Sequence, residues 1–179
     1  MIDMKLMIGS KDNEIIVLLG KCAAGKDYNA RKLQEQGYNF VISTTTRPMR
    51  NGESEGNPYY FTTNDVFEEK IRNEEMIEYR EYIRDGKPWY YGVEKTAIDN
   101  DKKYVAVLDI VGLREFRKKF GERVHAFYLY VPEHIRKQRC IARGDFNEEE
   151  WERRKLTSDD LMFTDDAIRE IGKTIEWKE

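Results

Sequence analysis

Residues 15–29 read IIVLLGKCAAGKDYN. Five apolar residues, three of them β-branched, run with Glu14 up to a glycine and stop there, as a buried strand does. The next eight nearly spell the phosphate-cradling pattern G-x-x-x-x-G-K-[ST]: Gly20, four residues, Gly25 and Lys26, and then Asp27 where a hydroxyl would hold magnesium. Such a loop works because consecutive backbone N–H groups, here those from Gly20 through Ala23, Ala24, Gly25, Lys26 and Asp27, converge on one anion. The dipole of the helix that follows adds to them. The lysine ammonium reaches the outer phosphates. Asp27 admits three readings: a hard oxygen ligand replacing the hydroxyl on magnesium, a helix cap, or the mark of a loop that no longer serves catalysis. Lys26 speaks against the last, and the expectation carried forward is that Asp27 holds magnesium or orders its waters.

Outward from this loop the pattern continues as a parallel unit. Residues 27–36 favour a helix that Gly37 ends, and Tyr38–Ile42 is a second short strand. Strand, glycine loop, helix, strand begins a βαβ fold. Residues 43–61 hold Pro48, Gly52, Gly56 and Pro58 and read as a loop-rich excursion. Asn64 is expected to cap a helix over 65–73 with Val66, Phe67 and Ile71 on one face, and residues 76–92 to form a hairpin about Asp85-Gly86. Then come a strand over 104–108 ending in Asp109, an amphipathic segment to Phe120, a strand over 124–131, and a helix opened by Pro132 and Glu133 that carries Ile135 and Ile141. Residues 143–155, RGDFNEEEWERRK, look too polar for a core element and suggest a mobile segment leading into a helix; a short strand over 173–177 closes the pattern.

The bulk numbers narrow the functional classes. A chain of 179 residues suits one domain, and a formal charge of only -3 gives no support to general nucleic-acid binding. Cys22 and Cys140 lie far apart, without metal-ligand spacing, and read as free thiols of a reducing compartment. The opening MIDMKLMIGSKDNE does not read as a secretory leader, and nothing approaches the ~20 apolar residues of a membrane span, so a cytoplasmic protein with no membrane partner is expected.

The excursion STTTRPMRNGESEGNPYYF, residues 43–61, resembles the nucleotide-monophosphate loop of guanylate kinases, S-x-T-T-R-x-x-R-x-G-E-x-x-G-x-x-Y-x-F, at every fixed position. MIEY with Glu78, YYG with Tyr91 and Gly92, VLDI with Asp109, and RCIARG with Arg139 and Arg143 follow at the family's spacing. The resemblance implies one P-loop domain over 1–179, of the three-layer α/β/α kind with a parallel core sheet. Residues 14–42 and 94–179 would be its core, 139–158 a helical lid and 43–93 a small β-rich nucleotide-monophosphate sub-domain. It implies ATP-dependent, magnesium-assisted phosphorylation of GMP or dGMP by a monomer or homodimer. Arg47, Arg50, Tyr59 and Tyr91 would hold the acceptor phosphate, Ser43 and Glu78 would read the guanine, and Lys26 with Arg139, Arg143 and Arg154 would act on the transferring phosphoryl. Asp27 and Asp109 would serve the metal, directly or through water.

These residue types suit that chemistry. Arginines three apart can converge on one phosphate with forked, charge-assisted bonds. A glutamate offers two acceptors to guanine's adjacent N1–H and N2–H, which adenine cannot supply. Four positions depart from the family: Asp27, Val93 after YYG, the apolar LDIV where a second acid falls, and a closing IEWKE without an asparagine loop. Two alternatives follow. Ribose 1,5-bisphosphate phosphokinases share GKD and YYGV but lack the full acceptor loop and the base-reading glutamate. Guanylate-kinase-like scaffold modules bind peptides and have lost the phosphate loop that this chain retains.

Overall fold

Every residue of Ile15–Leu19 has no solvent exposure, and the alternation of its side chains explains the architecture around it. Ile15, Val17 and Leu19 point into one apolar cluster and Ile16 and Leu18 into another, so this strand, β1, is covered on both faces. A computed structural model describes residues 12–84, 86–144 and 146–177, without the side chains of residues 157, 158 and 160. The opening segment 1–11, Asp85 of the expected turn, Asp145 of the polar stretch and residues 178–179 of the closing IEWKE lie outside the described residues.

Four further strands pair with β1 or its neighbours, all in parallel: β2 (Asn39–Phe40), β8 (Tyr104–Val107), β9 (Val124–Tyr130) and β10 (Lys173–Glu176), in the order β10-β9-β1-β8-β2. One face packs on α3 (Ile110–Phe120) and α7 (Asp165–Ile171) through Leu113, Phe116, Ala167 and Ile171. The other packs on α1 (Lys26–Gln34) through Ala30 and Leu33, and on α4 (Glu133–Arg143) through Ile135. This is the expected α/β domain with a parallel core sheet. Each fully buried Ile, Leu or Val contributes about 1.5–3 kcal/mol relative to exposure.

The excursion is not loop alone. It holds β3 (Ser43–Thr45), β4 (Ser54–Glu55) and β5 (Pro58–Phe61), and these join the hairpin β6 (Met76–Arg84) and β7 (Lys87–Glu94) in a second sheet, β4-β5-β3-β7-β6. Helix α2 (Asn64–Arg72) covers one face, with Phe67 stacked on Tyr90 at 5.2 Å. Its cap is Thr63, whose hydroxyl accepts from the Val66 amide, rather than Asn64 one residue later, and Val66 is exposed. On α4 the inward positions are Arg136 and Cys140 while Ile141 is exposed, because the helix turns its polar row to the loop after β1. The polar stretch holds a helix too, α5 (Glu148–Arg154), capped by Asn147 and anchored by the buried Trp151. A π-helical turn, Lys155–Asp159, and the short α6 (Asp160–Met162) complete the chain before α7.

Candidate active site

The loop after β1 lies where the order of the core sheet reverses, between β8 and β9, the place where open α/β sheets bind ligands. Gly25 caps α1 at φ 89°, a left-handed conformation that glycine adopts without a Cβ penalty. Ala23 sits at φ 60° without that exemption, a strain of about 1–2 kcal/mol. Lys26 folds back along the loop, its Nζ donating to the carbonyls of Gly20 at 2.7 Å and Lys21 at 3.2 Å. Burial pulls its ammonium below the usual lysine range, and the charges of Asp27, Cys22 and Asp159 resist that pull. Asp27 is exposed as the second residue of α1; since Gly25 is the cap, the aspartate stands inside the first turn and does not close the helix end.

On the second sheet lies a cluster made of side chains. Arg47, 4% exposed, donates two bonds of 2.7 Å to the carboxylate of Glu53 and a third, of 2.8 Å, to the Pro48 carbonyl. Its guanidinium lies over the rings of Tyr59 at 5.2 Å and Phe61 at 5.5 Å. The Arg47 bonds hold the Glu53 carboxyl down to about 2, helped by the Arg50 amide, which donates to it at 2.8 Å. The Arg50 side chain stays exposed at the rim. Tyr59 meets Tyr91 edge-on at 5.8 Å, and Ser43 pairs with Tyr59 across β3 and β5. Burial raises the Tyr59 hydroxyl, and smaller contributions come from Tyr91 and from Asp27.

The period of a strand puts Glu78 and Arg80 on one face of β6, with Tyr91 opposite Arg80 on β7. Glu78 is 8% exposed, and burial pushes its carboxyl up to about 7. Arg80 resists that shift, while Asp109 and Glu115 add to it. The α3 backbone lies close by: a Cβ on Gly112 would sit 3.3 Å from Glu78 Oε2 and 3.4 Å from Asp109 Oδ1, so a larger residue there would press on the Glu78 carboxylate. Asp109 caps α3 by accepting from the Gly112 amide at 2.7 Å and also receives Arg80 Nε at 3.1 Å and Nη2 at 3.2 Å. Val93 is fully buried in the core, and Val111 is exposed on the first turn of α3.

The lid arginines divide. Arg139 donates to the Ala23 carbonyl at 3.2 Å and lies over the Trp177 ring at 6.0 Å. Arg154 donates to Glu150 at 2.6 Å and to the Cys22 thiol at 3.4 Å. Arg143 is exposed on the last turn of α4, with Cys140 Sγ at 3.7 Å. The structure thus brings Lys26, Arg139 and Arg154 to the glycine loop and Arg47, Tyr59 and Tyr91 together on the second sheet, and leaves the Arg50 and Arg143 side chains exposed. Residues 12–165 match the guanylate kinase family profile.

The chain belongs to the guanylate kinase family.

Among curated relatives, it is 33% identical over 173 residues to the guanylate kinase of Symbiobacterium thermophilum, covering 89% of this chain and 81% of that one. It is 35% identical over 144 residues to the guanylate kinase of Clostridium acetobutylicum, covering 78% and 67%. The guanylate kinase crystal structure from Anaplasma phagocytophilum superposes with a TM-score of 0.63 at 25% identity, covering 94% of this chain and 79% of that one.

Against the family motifs, several residues at this site had no prior signal. Glu53 is the exception, since it is the fixed acid of the acceptor loop and could have been paired with Arg47. Arg80 is visible only once β6 is known to place it beside Glu78. Glu150 gathers Arg84 at 3.1 Å, Arg153 at 2.7 Å and Arg154 at 2.6 Å, joining the β6 hairpin to α5. Arg136 and Asp159, both buried, look like surface charges in the sequence. No described helix is long and apolar enough to cross a membrane. Among the described residues, no group of three or more His, Cys, Asp or Glu side chains could hold a metal ion.

Proposed function

We propose that the protein is an ATP-dependent nucleoside monophosphate kinase that phosphorylates GMP or dGMP to the diphosphate. The observation that carries this is the presence in one chain of two basic clusters of different construction, each suited to a phosphate: a strained amide loop with Lys26, and a side-chain cluster of Arg47, Tyr59 and Tyr91. In-line phosphoryl transfer needs positioning and charge neutralisation more than covalent chemistry, and these residues supply both.

Lys26 and the amides of Ala23 to Asp27 hold the donor phosphates. Arg47 is held in place by Glu53, so its guanidinium meets the acceptor phosphate without first being ordered. Glu78 in its ionised form accepts the N–H pair of guanine. Arg139 and Arg154 already rest on the loop, at Ala23 and Cys22, and supply positive charge to the transferring group. Magnesium, when bound, neutralises the phosphate oxygens. Asp27, exposed in the first turn of α1, fits as its oxygen ligand or as the anchor of its waters. Asp109 fits less well, since its oxygens already serve Arg80 and the Gly112 amide.

A coupled assay with ATP and magnesium against GMP, dGMP, AMP, CMP, UMP and ribose 1,5-bisphosphate tests the proposal. Turnover of GMP or dGMP well above the rest is expected. Turnover of ribose 1,5-bisphosphate alone sinks the nucleotide acceptor, and peptide binding without any turnover moves the chain to the scaffold class.

A further inference from the structure

Cys22, the third residue of the phosphate loop, is gripped at three atoms by side chains from the two ends of the lid. Its amide donates to both carboxylate oxygens of Asp159, at 2.9 and 3.0 Å. Its carbonyl accepts from Arg136 Nη1 at 3.1 Å, and its thiol receives Arg154 Nη1 at 3.4 Å. Arg136 Nη1 also meets Asp159 Oδ2 at 3.1 Å, and Arg136 Nε donates to the Val131 carbonyl at 3.2 Å. Asp159 is 7% and Arg136 5% exposed, so each charge is buried with a partner of opposite sign and a peptide group to bond.

The placement of these two residues gives the contacts meaning. Arg136 lies on α4 one turn before Arg139, and Asp159 ends the π-helical turn that follows Arg154. One stem of the lid therefore holds the carbonyl of the Cys22 residue and the other its N–H. Immediately beyond is Ala23, at φ 60°, a backbone state that persists only where its surroundings enforce it. A π-turn inside a helical segment is itself uncommon and recurs at functional positions.

We propose that Asp159 and Arg136 are positioning residues that clamp Cys22. They keep the amide cradle from Ala23 onward in its phosphate-ready shape before any nucleotide arrives, and they root both lid stems on the loop. This rests on the reading of Gly20 to Asp27 as the donor-phosphate site. The clamp touches neither substrate. It acts on the donor alone, because the acceptor pocket is built on the other sheet and shares no contact with Cys22 among those described.

Asp159→Asn and Asp159→Ala separate the clamp from a merely structural salt bridge. The asparagine keeps one oxygen to accept from the Cys22 amide but gives up the charge and the second acceptor; the alanine gives up every acceptor. For the wild type and each variant, ATP affinity is measured by direct titration with magnesium, KM for each substrate and kcat by steady-state assay, and Tm by thermal melting. Asp159→Ala is expected to weaken ATP binding by about tenfold or more and to lower kcat, with KM for GMP within about twofold of wild type. Asp159→Asn is expected to recover ATP affinity to within about threefold of wild type. ATP affinity unchanged in Asp159→Ala, or both KM values rising together with a fall in Tm, overturns the clamp. If the alanine variant does not fold, Arg136→Lys takes its place: a selective loss of ATP affinity supports the proposal, and none overturns it. If no nucleoside monophosphate is turned over but ATP titrations still split the variants this way, the kinase proposal fails and the clamp stands. A wild type that binds no ATP overturns both.

Discussion

The glycine loop after β1 and the arginine-tyrosine cluster of the second sheet, proposed above as donor and acceptor sites, are made differently. The donor loop is chiefly backbone, hung from a strand with no solvent exposure and kept in shape by Gly25, the strained Ala23 and the grip on Cys22. The acceptor pocket is chiefly side chain, with each cation held by a neighbouring acid: Arg47 by Glu53, Arg80 by Asp109. Backbone amides cannot be deleted one by one, so the donor side fails through its lysine or its shape. The acceptor side fails residue by residue, and each residue carries a separable part of affinity or selectivity.

The sharpest test of that contrast is Lys26→Ala. It is expected to cut kcat/KM by roughly 100-fold or more, the scale of removing one preorganised charge donor, with Tm unchanged or raised because a desolvated ammonium is lost. A large fall in Tm instead would mean that the lysine's bonds to Gly20 and Lys21 hold the loop together. Arg47→Lys comes next, with KM for GMP rising about 10–100-fold while ATP affinity stays within about twofold, since charge survives but the fork is lost. Equal losses on both sides would erase the distinction between the two regions.

Glu78 gives a pH signature. Its carboxyl titrates at about 7 because of burial, and only the ionised form accepts from guanine's N–H groups, so KM for GMP is expected to fall as pH rises through about 7. Glu78→Gln should flatten that limb. For stability the sign is opposite: a carboxyl whose folded value is raised contributes most below its unfolded value near 4.5, and that contribution is lost as pH rises through about 7. Arg80→Met is a smaller perturbation. It should raise KM for GMP by about three- to tenfold and move the same limb to higher pH, since the guanidinium charge favours ionised Glu78. The smallest expected effect is that of Asp27→Ala on magnesium dependence, a shift of a few-fold to higher metal concentration in steady-state assays. No shift would remove Asp27 from the metal's neighbourhood.

Much of this was legible from residues alone. An apolar run ending at Gly20, followed by Gly25 and Lys26, already specifies strand, anion loop and helix, since these signals are local. The acceptor loop is long enough for its spacing to identify the family by resemblance. Elsewhere local signals misled. Asn64 is a good capping residue, but Thr63 precedes it and takes the cap. RGDFNEEEWERRK is polar by composition, yet Trp151 buries itself and anchors a helix that the charges alone do not imply. Ile141 carries the apolar chemistry of a core residue, while α4 turns Arg136 and Cys140 inward instead.

By itself, the sequence determined the glycine loop with its lysine, the strands that flank it and the arginines of the 43–61 excursion, because each depends on residues a few positions apart. The order of the strands in the sheet came from the tertiary structure. Only the tertiary structure decided which charges meet. Arg80 reaches Asp109 across 29 positions, Arg84 reaches Glu150 across 66 and Cys22 reaches Asp159 across 137. A buried charge is stable only beside its counter-charge, and where the counter-charge lies depends on how the strands and helices pack, which no short stretch of chain records.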